Sequence, residues 1–177
     1  KQHLDKNGWQ QEEYLDTKVE NLPMEPASGP DGKPITVQIQ TRTGRLLAKV
    51  WLMRVGRVRL YLLDCDVEGN SPEDRELTSR LYGGDNRTRI RQELVAGVGG
   101  VRALRALGIT PGVYHLNEGH SSFATLEAIR ERMKEDGRSF DEALREVAQH
   151  TVFTTHTPVP AGHDRFNGAL IEEHLGP

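Results

Sequence analysis

The pattern of apolar and polar positions divides the chain into a strand-rich first part and a helix-rich second part. Ile35, Val37 and Ile39 alternate with polar residues, the period of a half-buried strand. Thr43-Gly44 marks a turn, and a longer apolar run from Leu46 to Met53 follows, containing Trp51. Val55-Gly56-Arg57 turns the chain again, and Val58 to Leu63 forms a further run ended by Asp64 and Asp66. Turns this short predict antiparallel hairpins. Ahead of them, residues 1–34 show little periodicity. Asn7-Gly8, Pro23, Pro26, Gly29-Pro30 and Asp31-Gly32 punctuate them into turns, which predicts an irregular connection or flap that Trp9 and Tyr14 pin to a neighbouring surface.

From residue 71 the period is helical. Ser71-Pro72-Glu73-Asp74 has a serine N-cap with proline at the first helical position, and this short helix is expected to stop near Tyr82-Gly83-Gly84. Asp85 or Asn86 then caps a long helix whose apolar stripe is Ile90, Leu94, Val98, Val101, Leu104 and Leu107. Gly97, Gly99 and Gly100 lie inside it. Each costs about 1 kcal/mol relative to alanine in a helix interior, so either close packing against another backbone or a break in the helix is expected there. Gly108 and Pro111 end the helix. Val113 to Asn117 is a strand with the polar exit Glu118-Gly119-His120. Ser121 or Ser122 starts a helix with Phe123, Leu126, Ile129 and Met133 on one face, closed by Asp136-Gly137. Ser139-Phe140-Asp141-Glu142 has the spacing of a capping box, and Phe140, Leu144 and Val147 form the next inner face. The run starting at Val152 reads as a buried strand that breaks at His156 into a loop with two prolines, and a helical stretch from Gly168 to Leu175 follows.

Helical crossovers between strands predict parallel pairing. The strands ending at Asp64, Asn117 and Thr155 are therefore expected to share one sheet and point the same way. Their carboxyl ends carry Asp64 and Asp66, then Asn117, Glu118 and His120, then His156 and Thr157. Polar exits along one sheet edge predict a binding cleft. The fold class is α/β: residues 35–177 form one segment in which antiparallel hairpins precede parallel strands with helical crossovers, and 1–34 is an irregular connection or flap.

Composition narrows the function. The chain has 177 residues and a formal net charge of -3, from 23 basic and 26 acidic residues. That balance leaves no electrostatic footprint for nucleic acid. No apolar stretch is long enough to span a bilayer, and the polar N-terminus resembles no signal peptide. A single cysteine, Cys65, excludes an internal disulfide framework and points to a reducing, cytoplasmic setting. GxGxxG, P-loop, GxSxG, CxxC and HExxH patterns are absent.

His115, His120, His156 and His163 raise the question of a metal, but their spacings match no standard zinc site, and His115 lies inside a strand. No metal is expected. A polyhydroxylated ligand fits better, because Asn117, Glu118, His120, His156 and Thr157 supply both donors and acceptors. Taken singly, each could equally be a helix cap or a satisfied loop side chain. Asp85 is most simply an N-cap, although the two glycines before it could let it swing into the cleft.

Four ordered stretches carry a resemblance. Leu81-Tyr82-Gly83-Gly84-Asp85, Arg89-Ile90-Arg91-Gln92-Glu93, His115-Leu116-Asn117-Glu118-Gly119-His120 and the run from Thr154 to Asp164 resemble the bacterial and archaeal α-glucan phosphorylases. Trp9-Gln10-Gln11-Glu12-Glu13 and Asn70-Ser71-Pro72-Glu73-Asp74-Arg75 are similar too, so the likeness covers essentially the whole chain. It implies the later part of the N-terminal domain of a GT-B enzyme, in which two Rossmann-like domains enclose the active site. It also implies reversible phosphorolysis of an α-1,4-glucan end to glucose 1-phosphate, with pyridoxal phosphate on a lysine of a C-terminal domain outside this chain. The partners implied are the glucan, phosphate and that domain, with a homo-oligomeric parent left open. The isolated chain is expected to be inactive. By resemblance, His156 and Asp85 are the catalytic-site residues, Asp85 on a gating loop, and Thr157, His120, Glu118 and Asn117 bind substrate. The animal enzymes have an Asn-Asp-Thr-His run in place of Asn117-Glu118-Gly119-His120, which weakens the carry-over for Glu118. A sugar-nucleotide α-glucan synthase half and a non-catalytic glucan-binding module are the alternatives. The Pro158-Val159-Pro160-Ala161-Gly162 run favours the phosphorylase over the synthase.

Overall fold

The computed structural model describes residues 2–13, 21–42, 44–80, 84–158 and 163–175. Its first body is an antiparallel sheet. β4 (Thr36–Thr41), β5 (Gly44–Val55) and β6 (Val58–Asp64) follow one another as hairpins, with Ile39 opposite Leu46 and Lys49 opposite Asp64. Gly56, at φ 60, supplies the left-handed residue of the two-residue β5–β6 loop. Alternation works as the sequence predicts: Val37 and Ile39 on β4, and Leu46, Ala48 and Val50 on β5, all point into the core.

Residues 1–34 hold more regular structure than their punctuation suggests. β1 (Gln2–Leu4) and β2 (Gln10–Glu12) form an antiparallel hairpin, and β3 (Met24–Pro26) pairs with the end of β5. Trp9 is exposed rather than pinned, and Tyr14 lies outside the described residues.

Ser71 caps α1 (Pro72–Arg75) by accepting the Asp74 N–H, but the helix ends at Arg75, and Tyr82-Gly83 lie outside the described residues. α2 (Asn86–Leu94) continues through a π-helical turn, Val95–Gly99, into α3 (Gly100–Ala106). Close backbone packing holds for Gly97 alone, where a Cβ would lie 2.6 Å from the Ala124 backbone nitrogen, and the helix changes its winding there instead of breaking. Ile90 and Leu94 from this helix meet Ile39 and Val50 of the sheet in the main core.

The second body carries the parallel strands. β7 (Tyr114–Asn117) is joined to β8 (Thr151–Thr154) by α4 (Phe123–Asp136) and α5 (Phe140–Gln149). Asn117 sits beside Thr154, so both strands end together. Ser139 and Glu142 form the expected capping box. Gly137, at φ 66, ends α4, but Ser122 makes no side-chain cap at its start. α6 (Gly168–Leu175) follows near the C-terminus. No described helix is long and apolar enough to cross a membrane.

Three further expectations need correction. β6 belongs to the antiparallel sheet, so only the strands ending near Asn117 and Thr155 form a parallel pair. The short Gly56 loop commits β6 to β5, and an apolar cleft of about 510 Å³ separates Tyr61 and Leu63 of β6 from Tyr114 and Leu116 of β7. β8 is not buried: Val152 and Phe153 are 52% and 54% exposed. The assumed inner faces of α4 and α5 are only half right. Phe123, Ile129 and Val147 are buried, whereas Leu126, Met133, Phe140 and Leu144 are exposed.

Candidate functional site

The carboxyl ends of β7 and β8 converge on Glu118. Its backbone is at φ 64, ψ -175, a region that glycine occupies freely and a glutamate avoids. Its N–H donates to the Thr154 carbonyl at 2.8 Å, which extends the parallel ladder by one residue. Its side chain turns inward and is 3% exposed. Oε1 accepts the backbone N–H of His156 at 2.7 Å and that of Thr157 at 2.8 Å, with His156 Nδ1 at 3.4 Å. The His156 N–H is the main reason the carboxyl is held down to about 2, with the Thr157 side chain and N–H and the His156 ring adding to it against the cost of burial. Oε2 has no hydrogen-bond partner among the described residues. In front of this carboxylate, the exposed His156 ring meets Asn117 Oδ1 at 3.1 Å through Nε2. The Thr157 carbonyl accepts from His163 Nε2 at 3.0 Å.

A second cluster lies one turn further along. The half-buried His120 stands in a 3-10 turn, Gly119–Ser121. Its Nδ1 is 3.3 Å from Arg89 Nη2, 3.7 Å from Asp164 Oδ2 and 4.0 Å from Glu93 Oε1. Arg89 donates to Asp164 at 2.6 Å. Burial, then the hydrogen bond to Asp164, pushes the Glu93 carboxyl up to about 8. Burial is the largest single influence on Asp164 and raises its pKa, but the hydrogen bonds with Arg89 and Glu93 and the charges of Arg89 and His120 together lower it. Glu93, His120 and Asp164 offer ligand atoms within 4.8 Å of one another, a spacing open to a cation. The Arg89 guanidinium already supplies the positive charge there.

The structure therefore joins Asn117, Glu118, His156 and Thr157 through direct contacts and puts His120 in the adjoining cluster. Asp85 stands apart. Its carboxylate caps α2, accepting from Thr88 N at 3.0 Å and Thr88 Oγ1 at 3.2 Å, and these bonds, the backbone one first, lower its pKa. Asp64 and Asp66 are engaged elsewhere, Asp64 with the Trp51 indole at 3.0 Å and Asp66 with Arg75. His115 bridges the strand pair, 2.6 Å from Thr154 Oγ1. The sequence reading assigned no role to Arg89, Glu93 or Asp164. Arg89 and Glu93 are one helical turn apart on α2, so their shared face was the available signal. What the site offers outward is an amide, two imidazoles and peptide groups, a set suited to hydrogen-bonding hydroxyls. No serine or cysteine stands activated beside a histidine among these contacts.

No family model matches the chain. Its sequence is 46% identical over 175 residues to maltodextrin phosphorylase of Thermococcus litoralis, a match that takes in 99% of the chain and 21% of the relative. It is 44% identical to glycogen phosphorylase of Mycobacterium tuberculosis over 181 residues, and 37% identical to that of Aquifex aeolicus over 175, which is 25% of the latter. The fold and site are those of a mixed α/β protein with polar strand ends. Over nearly its whole length the chain matches glycogen and maltodextrin phosphorylases, and it spans about one fifth of the length of these relatives.

Proposed function

We propose that the chain is part of a larger α-glucan phosphorylase, which cleaves terminal α-1,4-glucosidic bonds with phosphate to give glucose 1-phosphate. The observation that carries this reading is the Asn117–Glu118–His156–Thr157 constellation, built at two parallel strand ends in a chain matched end to end by phosphorylases. In this reading the chain contributes to the N-terminal domain of a GT-B enzyme and works in the cytoplasm, with the α-1,4-glucan, phosphate and the C-terminal domain as partners. The His156 carbonyl and ring face the reacting glucose, Thr157 stands beside them, and Asn117 and His120 bind sugar hydroxyls. Asp85 belongs to a loop that gates the site.

Among the described residues, none of these site contacts involves a lysine. Pyridoxal phosphate, whose phosphate group supplies acid catalysis in such enzymes, is assigned here to a part of the parent outside these 177 residues. The test is direct. The full-length parent, given maltodextrin and phosphate, should release glucose 1-phosphate. Glucosyl transfer from a sugar nucleotide with no phosphorolysis would overturn the reading.

A further inference from the structure

We infer that Glu118 is a positioning residue: from behind the strand end its carboxylate fixes the direction of the His156 carbonyl. The inference rests on the reading above, in which that carbonyl faces the reacting sugar. A trans peptide is planar, so its N–H and C=O point in opposite directions. The described residues contain no cis peptide. With the Thr157 N–H held on Glu118 Oε1 at 2.8 Å, the His156 carbonyl of the same peptide must point away from Glu118. The His156 N–H, held at 2.7 Å by the same oxygen, prevents the preceding peptide from rotating. Among the described residues the His156 carbonyl accepts no hydrogen bond.

Two further observations point the same way. Glu118 is the one non-glycine residue with positive φ among the described residues. A glycine would sit there without strain, and the chain has one next door at 119. The glutamate side chain is thus kept at a conformational cost, and its visible work is the pair of bonds to the His156–Thr157 backbone. A negative charge at the N–H end of a peptide also polarises it and strengthens the negative end at the carbonyl. A fixed, polarised carbonyl needs little reorganisation when positive charge develops beside it.

The experiment uses the full-length parent with Glu118→Gln and Glu118→Ala. It combines phosphorolysis kinetics with amide hydrogen exchange over residues 152–158. Glu118→Gln keeps an acceptor and removes the charge. It should keep slow exchange and lower kcat by about tenfold with KM within about twofold, the mark of an interaction made in the transition state. Glu118→Ala should speed exchange at His156 and Thr157 and lower kcat by about 100-fold. Unchanged exchange in Glu118→Ala would overturn the inference, whether or not the wild-type enzyme phosphorolyses. So would a Glu118→Gln variant with raised KM and unaltered kcat. A wild-type parent without phosphorolysis would instead count against the reading of function, and exchange would still decide the role of Glu118.

Discussion

The two bodies of the molecule are held together differently. Around β4, β5 and α2, the side chains of Ile39, Val50, Ile90 and Leu94 are almost completely excluded from solvent. Around β7 and β8, burial is confined to small clusters such as Ala128, Ile129, Ala143 and Val147, while Val152 and Phe153 face solvent. Yet the second body holds the convergent polar groups. Apolar burial organises the sheet body. Hydrogen bonds to one buried carboxylate organise the strand ends. The same chain thus separates the part that supplies stability from the part that presents chemistry.

Core truncation should break this contrast most sharply if it is wrong. Leu94→Ala is expected to cost about 2–5 kcal/mol. Phe153→Ala, on the exposed strand, should cost under about 1 kcal/mol. Denaturant midpoints of the two variants should differ clearly, and equal midpoints would refute the division.

The helix glycines give the next largest effect. Gly97→Ala drives a methyl into the Phe123–Ala124 backbone and should lose about 1–3 kcal/mol. Gly100→Ala meets nothing within 4 Å and should gain up to about 1 kcal/mol from helix propensity. Thermal unfolding of the pair should shift in opposite directions. Destabilisation by both would show that the π-helical turn itself demands glycine.

A smaller effect separates two buried glutamates. The Glu93 carboxyl is raised from its ordinary 4.5, so the folded state binds its proton more tightly than the unfolded state does. Stability should therefore fall as pH rises above 4.5, and Glu93→Gln should flatten that decline. Glu118 is held down to about 2, so its contribution is present above 4.5 and is lost as pH falls toward 2. Unfolding midpoints measured across pH should show the two opposite slopes. A Glu93→Gln profile that parallels wild type would remove the raised Glu93 carboxyl from the account.

Local signals in the sequence were read well. The alternation of Val37 and Ile39, the Ser71 cap, the Ser139 box and the parallel pairing at Asn117 all appear in the structure. Each depends on neighbours within a few residues or on the length of a crossover. What was missed depends on distant partners. The β5–β6 hairpin follows from its short turn, but whether β6 goes on to share a sheet with β7 is reported by no periodicity, and an apolar cleft lies between them. The polar β1–β2 hairpin carries no apolar pattern to find. The exposure of Val152 and Phe153 depends on which other elements cover the strand, and their apolar character alone reads as burial. At the site, the residue types were legible but their mutual contacts were not. Sequence alone does not show that Glu118 Oε1 accepts from the backbone of His156 and Thr157. The Arg89–Glu93–Asp164 network joins residues 75 positions apart.

The proposal that the polar ends of β7 and β8 form a sugar site in an α-glucan phosphorylase is tested most directly by His156→Ala in the full-length parent. The substitution keeps the carbonyl and removes a ring now bonded to Asn117. Loss of a ring that bonds a sugar hydroxyl should lower kcat/KM about five- to 150-fold, equivalent to about 1–3 kcal/mol. With phosphorolysis and folded fraction measured on the same preparation, that loss should persist per folded molecule. A drop in stability with unchanged kcat/KM per folded enzyme would contradict the account.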